Sequence, residues 1–215
     1  MDYAHQIAET LLDLNAVIVR PDHPFRWASG LLSPIYCDNR ILISSVEGRA
    51  LVQKAFQEKM KALNWQPNVI AGTATAGIPH AAWLAWLLEL PMVYVRSAEK
   101  KHGQGKRIEG QLPIEARAVI VEDLISTGGS SLSTLEALLA ENAQVLGILA
   151  IFEYGLPKAQ QAFAQAHIAY ASLTNLAVLA ETLANRGALT GDQRAALENW
   201  RQDPVAWSEK RESAR

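Results

Sequence analysis

The stretch Val119-Ile120-Val121-Glu122-Asp123-Leu124-Ile125-Ser126-Thr127-Gly128-Gly129-Ser130 decides the fold. With Ala118, its first three residues form a continuous apolar, β-branched run, the kind of strand buried on both faces of a parallel sheet. Two adjacent carboxylates, Glu122 and Asp123, stand at the end of that strand, and a Ser-Thr-Gly-Gly-Ser turn follows. The turn opens a helix predicted over residues 131–142. Glycines allow a tight turn and close backbone approach, and the free N–H groups at a helix N-terminus point outward at an anion. Thr127, Ser130 and Ser131 add hydroxyl donors. The turn therefore suits a phosphate. The acid pair suits sugar hydroxyls or a hydrated Mg²⁺, a hard cation that prefers oxygen. No Lys-Ser/Thr follows the glycines and no Gly-x-Gly-x-x-Gly is present, which sets aside the P-loop and the dinucleotide fingerprint.

Outward from this strand the same rhythm repeats. Short apolar strands are predicted at 69–72, 92–95, 145–152 and 169–173, alternating with helices at 77–88 and 156–167. Continuous apolar strands separated by helices imply an α/β fold, a mainly parallel central sheet of about five strands with helices on both faces. Right-handed crossovers place the strand C-terminal ends along one edge, where ligands of such sheets bind. Towards the N-terminus, residues 3–15 are helical in period, 17–19 are β-branched, and 24–39 read as hairpin-like irregular structure with Gly30 and Ser33-Pro34 as turns. Residues 45–63 form an amphipathic helix capped by Ser44 or Ser45, with Ala50, Leu51, Ala55, Phe56, Met60 and Leu63 on one face. Residues 175–185 and 190–200 read as closing helices, and 209–215 as a frayed polar tail.

Composition bounds the function. The 215 residues are 49% hydrophobic and 20% charged, ordinary for one globular domain. Lys and Arg total 20 against 22 Asp and Glu, so no overall basic field attracts nucleic acid and any anion site is built locally. The lone Cys37 excludes an intrachain disulfide and a cysteine-rich zinc site. Asp2, His5, Glu9 and Asp13 at the N-terminus fit neither a signal nor a transit peptide. The longest apolar run, 78–88, contains His80 and is too short to span a bilayer. A reduced, cytoplasmic protein with no nucleic-acid or membrane partner is expected.

Three further stretches carry chemistry. Val95-Arg96-Ser97-Ala98-Glu99-Lys100-Lys101-His102-Gly103-Gln104-Gly105-Lys106-Arg107-Ile108-Glu109-Gly110 is rich in cations and lacks apolar anchors. A loop over 97–110 is expected to be mobile and to close over a polyanion. Residues 24–40, with Phe25, Trp27 and Tyr36 among turns, suit a flat pocket. Ala71-Gly72-Thr73-Ala74-Thr75-Ala76-Gly77-Ile78-Pro79 joins a strand end to a helix, so its amides face anions. His5, His23, His80 and His167 lack metal spacing, Cys37 lacks a nucleophile's surroundings, and Trp83 and Trp86, three apart on one helix, read as packing.

Together these motifs resemble the type I phosphoribosyltransferases. The acid pair with its Ser-Thr-Gly-Gly-Ser turn resembles their motif for 5-phosphoribosyl 1-pyrophosphate (PRPP). Arg-x-x-x-Lys-x-His-Gly with Ile-Glu-Gly, and Ser-Gly-x-x-Ser-Pro-x-Tyr-x-Asp-x-Arg, are similar to the orotate phosphoribosyltransferase family in particular. The resemblance implies that Glu122 and Asp123 face the ribose hydroxyls, that Ser126, Thr127, Gly128, Gly129 and Ser130 hold the 5′-phosphate, and that Leu124 and Ile125 between them also line the PRPP site. It implies that Arg96, Lys100 and His102 bind the pyrophosphate, with Lys100, His102 and Asp123 catalytic. Orotate then meets Ser126 and the backbone near Tyr36 and Cys37. Mg²⁺ is the implied cofactor, carried by PRPP without direct protein ligands and water-bridged at most to Glu122 and Asp123. The implied assembly is a homodimer whose loop reaches the neighbouring site. The implied layout is one phosphoribosyltransferase domain over 1–215, with a core at about 41–175. A hood of about 1–40 joins the C-terminal helices.

The chain departs from parts of that pattern. Ala28 and Ala76 stand where some members have lysine, Ser97 where some have a second lysine, and Glu153-Tyr154 where one branch has Asp-Arg. Two other readings share the fold: a transferase for a purine or uracil, and a PRPP-sensing regulator. The hood and loop motifs favour orotate over the first, and no added DNA-binding region or exposed basic face favours the second.

Overall fold

A strand buried on both faces needs cover on both, and that requirement organises the chain. The computed structural model describes residues 2–27, 30–97 and 107–213. The N-terminal part runs helix α1 (Tyr3–Asp13), strands β1 (Val17–Val19), β2 (Phe25–Arg26), β3 (Leu32–Ser33) and β4 (Ile35–Cys37), a 3-10 turn (Asn39–Ser44) and helix α2 (Val46–Ala62). Then come β5 (Val69–Thr73), α3 (Gly77–Leu88), β6 (Met92–Val95), β7 (Ile108–Glu109), β8 (Arg117–Ile125), α4 (Gly129–Ala140), β9 (Gln144–Glu153), α5 (Pro157–Gln165) and β10 (Tyr170–Asn175). Helices α6 (Leu176–Asn185), α7 (Gly191–Gln202) and α8 (Pro204–Glu212) follow.

Among the described residues the main sheet has six strands in the order β10-β9-β8-β5-β6-β7. Every neighbouring pair is parallel except β6 with β7. Alternate side chains go to opposite layers. Ile70, Val119 and Val121 pack with α1, α2, α3 and α6 through Leu11, Phe56, Leu84 and Leu179. Val69, Ala71, Ala118 and Ile120 pack with α4 and α5 through Leu138 and Phe163. The expected α/β fold with helices on both faces is the observed one.

The sixth strand is a correction to the expected five. Ile108 and Glu109, read as part of a free loop over 97–110, pair with Val95 and Tyr94. The edge of β6 offers open ladder groups, and Ile108 is apolar enough to lie half-buried there. The C-terminal tail is a second correction. Residues 209–212 continue α8, which Asp203 caps by accepting from Ala206 N at 2.9 Å. Arg211 anchors the helix by donating to the Pro21 carbonyl at 2.7 Å. On α2 the Ser45 cap is present, accepting from Gly48 N at 3.0 Å, but Ala50 and Leu63 are exposed and Val52 is buried in their stead. Trp86, read as packing, is 81% exposed. Two short antiparallel ribbons, β1·β4 and β2·β3, make up the N-terminal segment.

Candidate active site

The site arises from a mismatch in strand length. β5 pairs with β8 only as far as Gly72 beside Val121, while β9 follows β8 to Ile125 beside Glu153. From Glu122 onward, β8 is unpaired on its β5 side, and the acids lie on that stretch. The 74–76 loop, with a cis Ala74–Thr75 peptide, and the first turn of α3 face the same gap. Gly77 lets them approach: a Cβ there would lie 2.5 Å from the Val121 carbonyl oxygen.

Glu122 is 4% exposed and its carboxylate accepts from the hydroxyls of Ser130 at 2.9 Å and Ser131 at 3.1 Å. The Asp123 amide also donates to it, at 3.3 Å. Burial, then the charge of Asp123, pushes the Glu122 carboxyl up to about 8. Asp123 is half-buried, and burial raises its carboxyl as well. Glu122 is thus committed to the first turn of α4, and Asp123 is the more open acid. Gly128 begins that turn with φ +83°, and a Cβ on it would meet the Phe163 ring at 2.8 Å. No side chain caps α4, so its first-turn amides, beside exposed Thr127, Gly129 and Ser130, are available to an anion.

On the opposite rim, β4 alternates, exposing Tyr36 and burying Cys37. Burial, reinforced by Asp123 and Asp38, holds the Cys37 thiol well above its ordinary range. The thiol donates to Asn39 Oδ1 at 3.1 Å, and Asn39 Nδ2 donates to the Asp123 carbonyl at 2.6 Å. Arg40 grips Asp38 with two bonds of 2.6 and 2.7 Å. Trp27, Tyr154 and Trp200 form an aromatic cluster with centroids 5.4–5.5 Å apart. Leu32 N donates to Ser208 Oγ at 2.9 Å, tying this rim to α8.

The third rim is cationic. Arg107 donates to the Arg96 carbonyl at 3.1 and 3.0 Å and to Ser133 Oγ at 2.8 Å, and Arg96 lies 3.7 Å from Glu109. A cavity of about 160 Å³ opens between Thr73, Arg96, Arg107, Ser130 and Thr134, with no carboxylate in its lining. The buried Thr73 hydroxyl has no hydrogen-bond partner among the described residues.

Tyr36, Cys37, Arg96 and residues 122–130 therefore gather at one edge of the sheet. Lys100 and His102 lie outside the described residues, as does Ala28. Ala76 precedes α3, exposed Ser97 follows β6, and Glu153 ends β9, accepting from Ser172 Oγ at 2.8 Å. Sequence reading gave Asn39, Thr73 and Ser133 no role and treated Arg107 as one loop cation among several. Asn39 sits inside a quoted motif, but at a position the motif leaves free. Among the described residues no group of three or more His, Cys, Asp or Glu is placed to hold a metal ion. An all-oxygen pair such as Glu122 and Asp123 fits an ion that keeps its water shell and arrives with a phosphate substrate.

Comparison with known proteins agrees with this geometry. The family model for the phosphoribosyl transferase domain matches residues 44–175. The orotate phosphoribosyltransferase of Listeria innocua is 48% identical over 207 residues, covering 96% of this chain and 99% of that protein. That of Bacillus subtilis is 50% identical over 198 residues, 92% of each. The crystal structure of orotate phosphoribosyltransferase from Aeropyrum pernix superposes with a TM-score of 0.74 at 29% identity, covering 83% of this chain and 98% of that one. A family model that spans more than half of the chain, with 48–50% identity along nearly its whole length, places the protein in the phosphoribosyltransferase family, among the orotate phosphoribosyltransferases.

Proposed function

We propose that the chain transfers the 5-phosphoribosyl group of PRPP to N1 of orotate, giving orotidine 5′-monophosphate and pyrophosphate, a step of pyrimidine biosynthesis. The observation that carries this reading is the near-full-length identity with orotate phosphoribosyltransferases in a chain whose acid pair and uncapped turn sit together at the sheet edge. As the C1–O bond breaks, positive charge grows on the ribose and negative charge on the departing pyrophosphate, and catalysis must stabilise both while excluding water.

The amides and hydroxyls of 126–130 hold the 5′-phosphate far from the reacting carbon, which is positioning by remote binding. Asp123 orients the ribose hydroxyls and, with Glu122, any water-bridged cation. Arg96, Lys100 and His102 receive the pyrophosphate. Mg²⁺ enters with PRPP and, when bound, offsets charge on the leaving group. Orotate lies under the Tyr36–Cys37 backbone and against Ser126. It is already anionic, so no strong general base is needed. We assign residues 1–40 and the C-terminal helices to a hood over a core at 41–175, in one domain. The active unit is a cytoplasmic homodimer in which the 97–110 segment serves the neighbouring site.

The test is to mix the protein with Mg²⁺, PRPP and orotate and follow the loss of orotate absorbance, with uracil, adenine and hypoxanthine as controls. Turnover confined to orotate is expected. Turnover of a control base and none of orotate overturns the assignment.

A further inference from the structure

Resting on the reaction assigned above, we infer that Asn39 is a positioning residue: its amide fixes the peptide carrying Asp123 against the strand carrying Tyr36 and Cys37. It thereby sets the distance between the ribose half and the base half of the site.

Asn39 is 1% exposed, and both ends of its amide are engaged. The Asp123 carbonyl accepts only, so the NH₂ must face it, across 2.6 Å. The amide oxygen is then turned to the Cys37 thiol, which donates to it at 3.1 Å. Burial keeps that thiol protonated and so a donor. The two bonds are mutually consistent and fix the amide in one orientation. Asn39 is not needed to form its own turn, because Asp38 caps it by accepting from Arg40 N.

What Asn39 holds is a stretch that β9 still flanks on one side but that β5 no longer flanks on the other. β5 pairs no further than Val121, and beyond that point the Asp123 carbonyl receives the Asn39 amide. The Asp123 N–H is taken by Glu122 at 3.3 Å. The peptide groups on both sides of the Asp123 Cα are therefore gripped by side chains, and their position sets where its carboxylate points. Since Asn39 lies two residues after Cys37, the same amide also relays the position of the orotate rim to the ribose site.

The test compares full-length wild type with Asn39→Leu and Asn39→Asp, two variants of nearly the same size. Leu makes no hydrogen bond, and an ionised Asp faces the Asp123 carbonyl with an acceptor. Affinities for PRPP and for pyrophosphate, both with Mg²⁺, are measured by calorimetry, with kcat and KM for PRPP alongside. Loss of one hydrogen bond of ordinary net strength corresponds to about tenfold. PRPP affinity should fall about tenfold in both variants. Pyrophosphate, which has no ribose, should bind within about twofold of wild type. The kinetic loss should appear chiefly in the KM for PRPP.

Equal weakening of both ligands would mark general damage and overturn the inference, as would unchanged PRPP affinity. If Asn39→Leu does not fold, Asn39→Asp and Asn39→Ser carry the same comparison. Wild type that binds PRPP but turns over no orotate would sink the reaction while leaving the Asn39 comparison readable.

Discussion

Gly77 and the Val121 carbonyl are in backbone contact: the first residue of α3 lies where a Cβ would come within 2.5 Å of that oxygen. This contact holds the 74–76 loop against the end of β8, just before the acid pair. Gly77→Ala must push two backbones apart, at a cost of about 1–3 kcal/mol. A lowered melting temperature together with reduced turnover is expected. A variant that melts and turns over like wild type would mean that the loop and strand do not need this spacing.

The pH dependence of stability follows from two buried groups. The Glu122 carboxyl, pushed up to about 8, keeps a proton in the folded chain that the unfolded chain releases above its ordinary value of 4.5. Its contribution is full below 4.5 and is lost as pH rises through 8, at up to about 1.4 kcal/mol per unit. Burial holds the His80 ring down at about 4 instead of 6.5, so its contribution is full above 6.5 and is lost as pH falls towards 4. The two slopes oppose each other between 4.5 and 6.5, leaving the Glu122 slope alone above that. The melting temperature of the unliganded protein should fall between pH 6.5 and 8.5, and Glu122→Gln should flatten that fall. An unchanged slope would remove Glu122 as its source.

Asp123 is the more open of the two acids and faces the gap beyond Val121. Asp123→Asn keeps the shape and removes the charge. Hydrogen bonds to charged groups contribute about 1.5–3 kcal/mol, so kcat/KM for PRPP should drop roughly tenfold to a hundredfold. Steady-state kinetics at saturating orotate would detect this, and parity with wild type would remove Asp123 from the ribose site.

The 97–110 segment is assigned to the neighbouring site. Lys100→Ala should depress turnover far more than it lowers the melting temperature. Mixing Lys100→Ala with Asp123→Asn subunits should restore activity towards about a quarter of the wild-type level. Random exchange makes half the dimers mixed, each with one intact site of two. No recovery after proven exchange would place the segment over its own site.

Ser208 on α8 accepts from the buried Leu32 amide at 2.9 Å. Ser208→Ala leaves that amide without this acceptor and should cost about 1–3 kcal/mol. Thermal melts would show it, and orotate KM should rise because the N-terminal rim loosens. A variant unaltered in both would detach α8 from the orotate rim.

The sheet was legible because its signals are local. A strand covered on both faces must be apolar at every position, so residues 69–72 and 118–121 stand out from their neighbours. The Ser-Thr-Gly-Gly-Ser turn was legible for the same reason, since the φ of +83° at Gly128 favours glycine whatever surrounds it. β7 was not legible. Two residues inside a cationic run carry no periodicity, and only the open edge of β6 makes them a strand. The exposed Trp86 was misread because helical spacing shows that two tryptophans share a side, not whether that side is covered.

Residue order and type were enough to specify the α/β alternation, the Ser-Thr-Gly-Gly-Ser turn and the adjacency of the two acids, because each depends on neighbours within a dozen positions. Packing alone determined that Glu122 turns under α4, that Asp123 stays the open acid, and that Asn39 reaches a carbonyl 84 residues away. Packing likewise set Leu32 against Ser208, 176 residues apart. Such pairs leave no local trace, since each partner satisfies its hydrogen bond only where the folded layers bring it into reach.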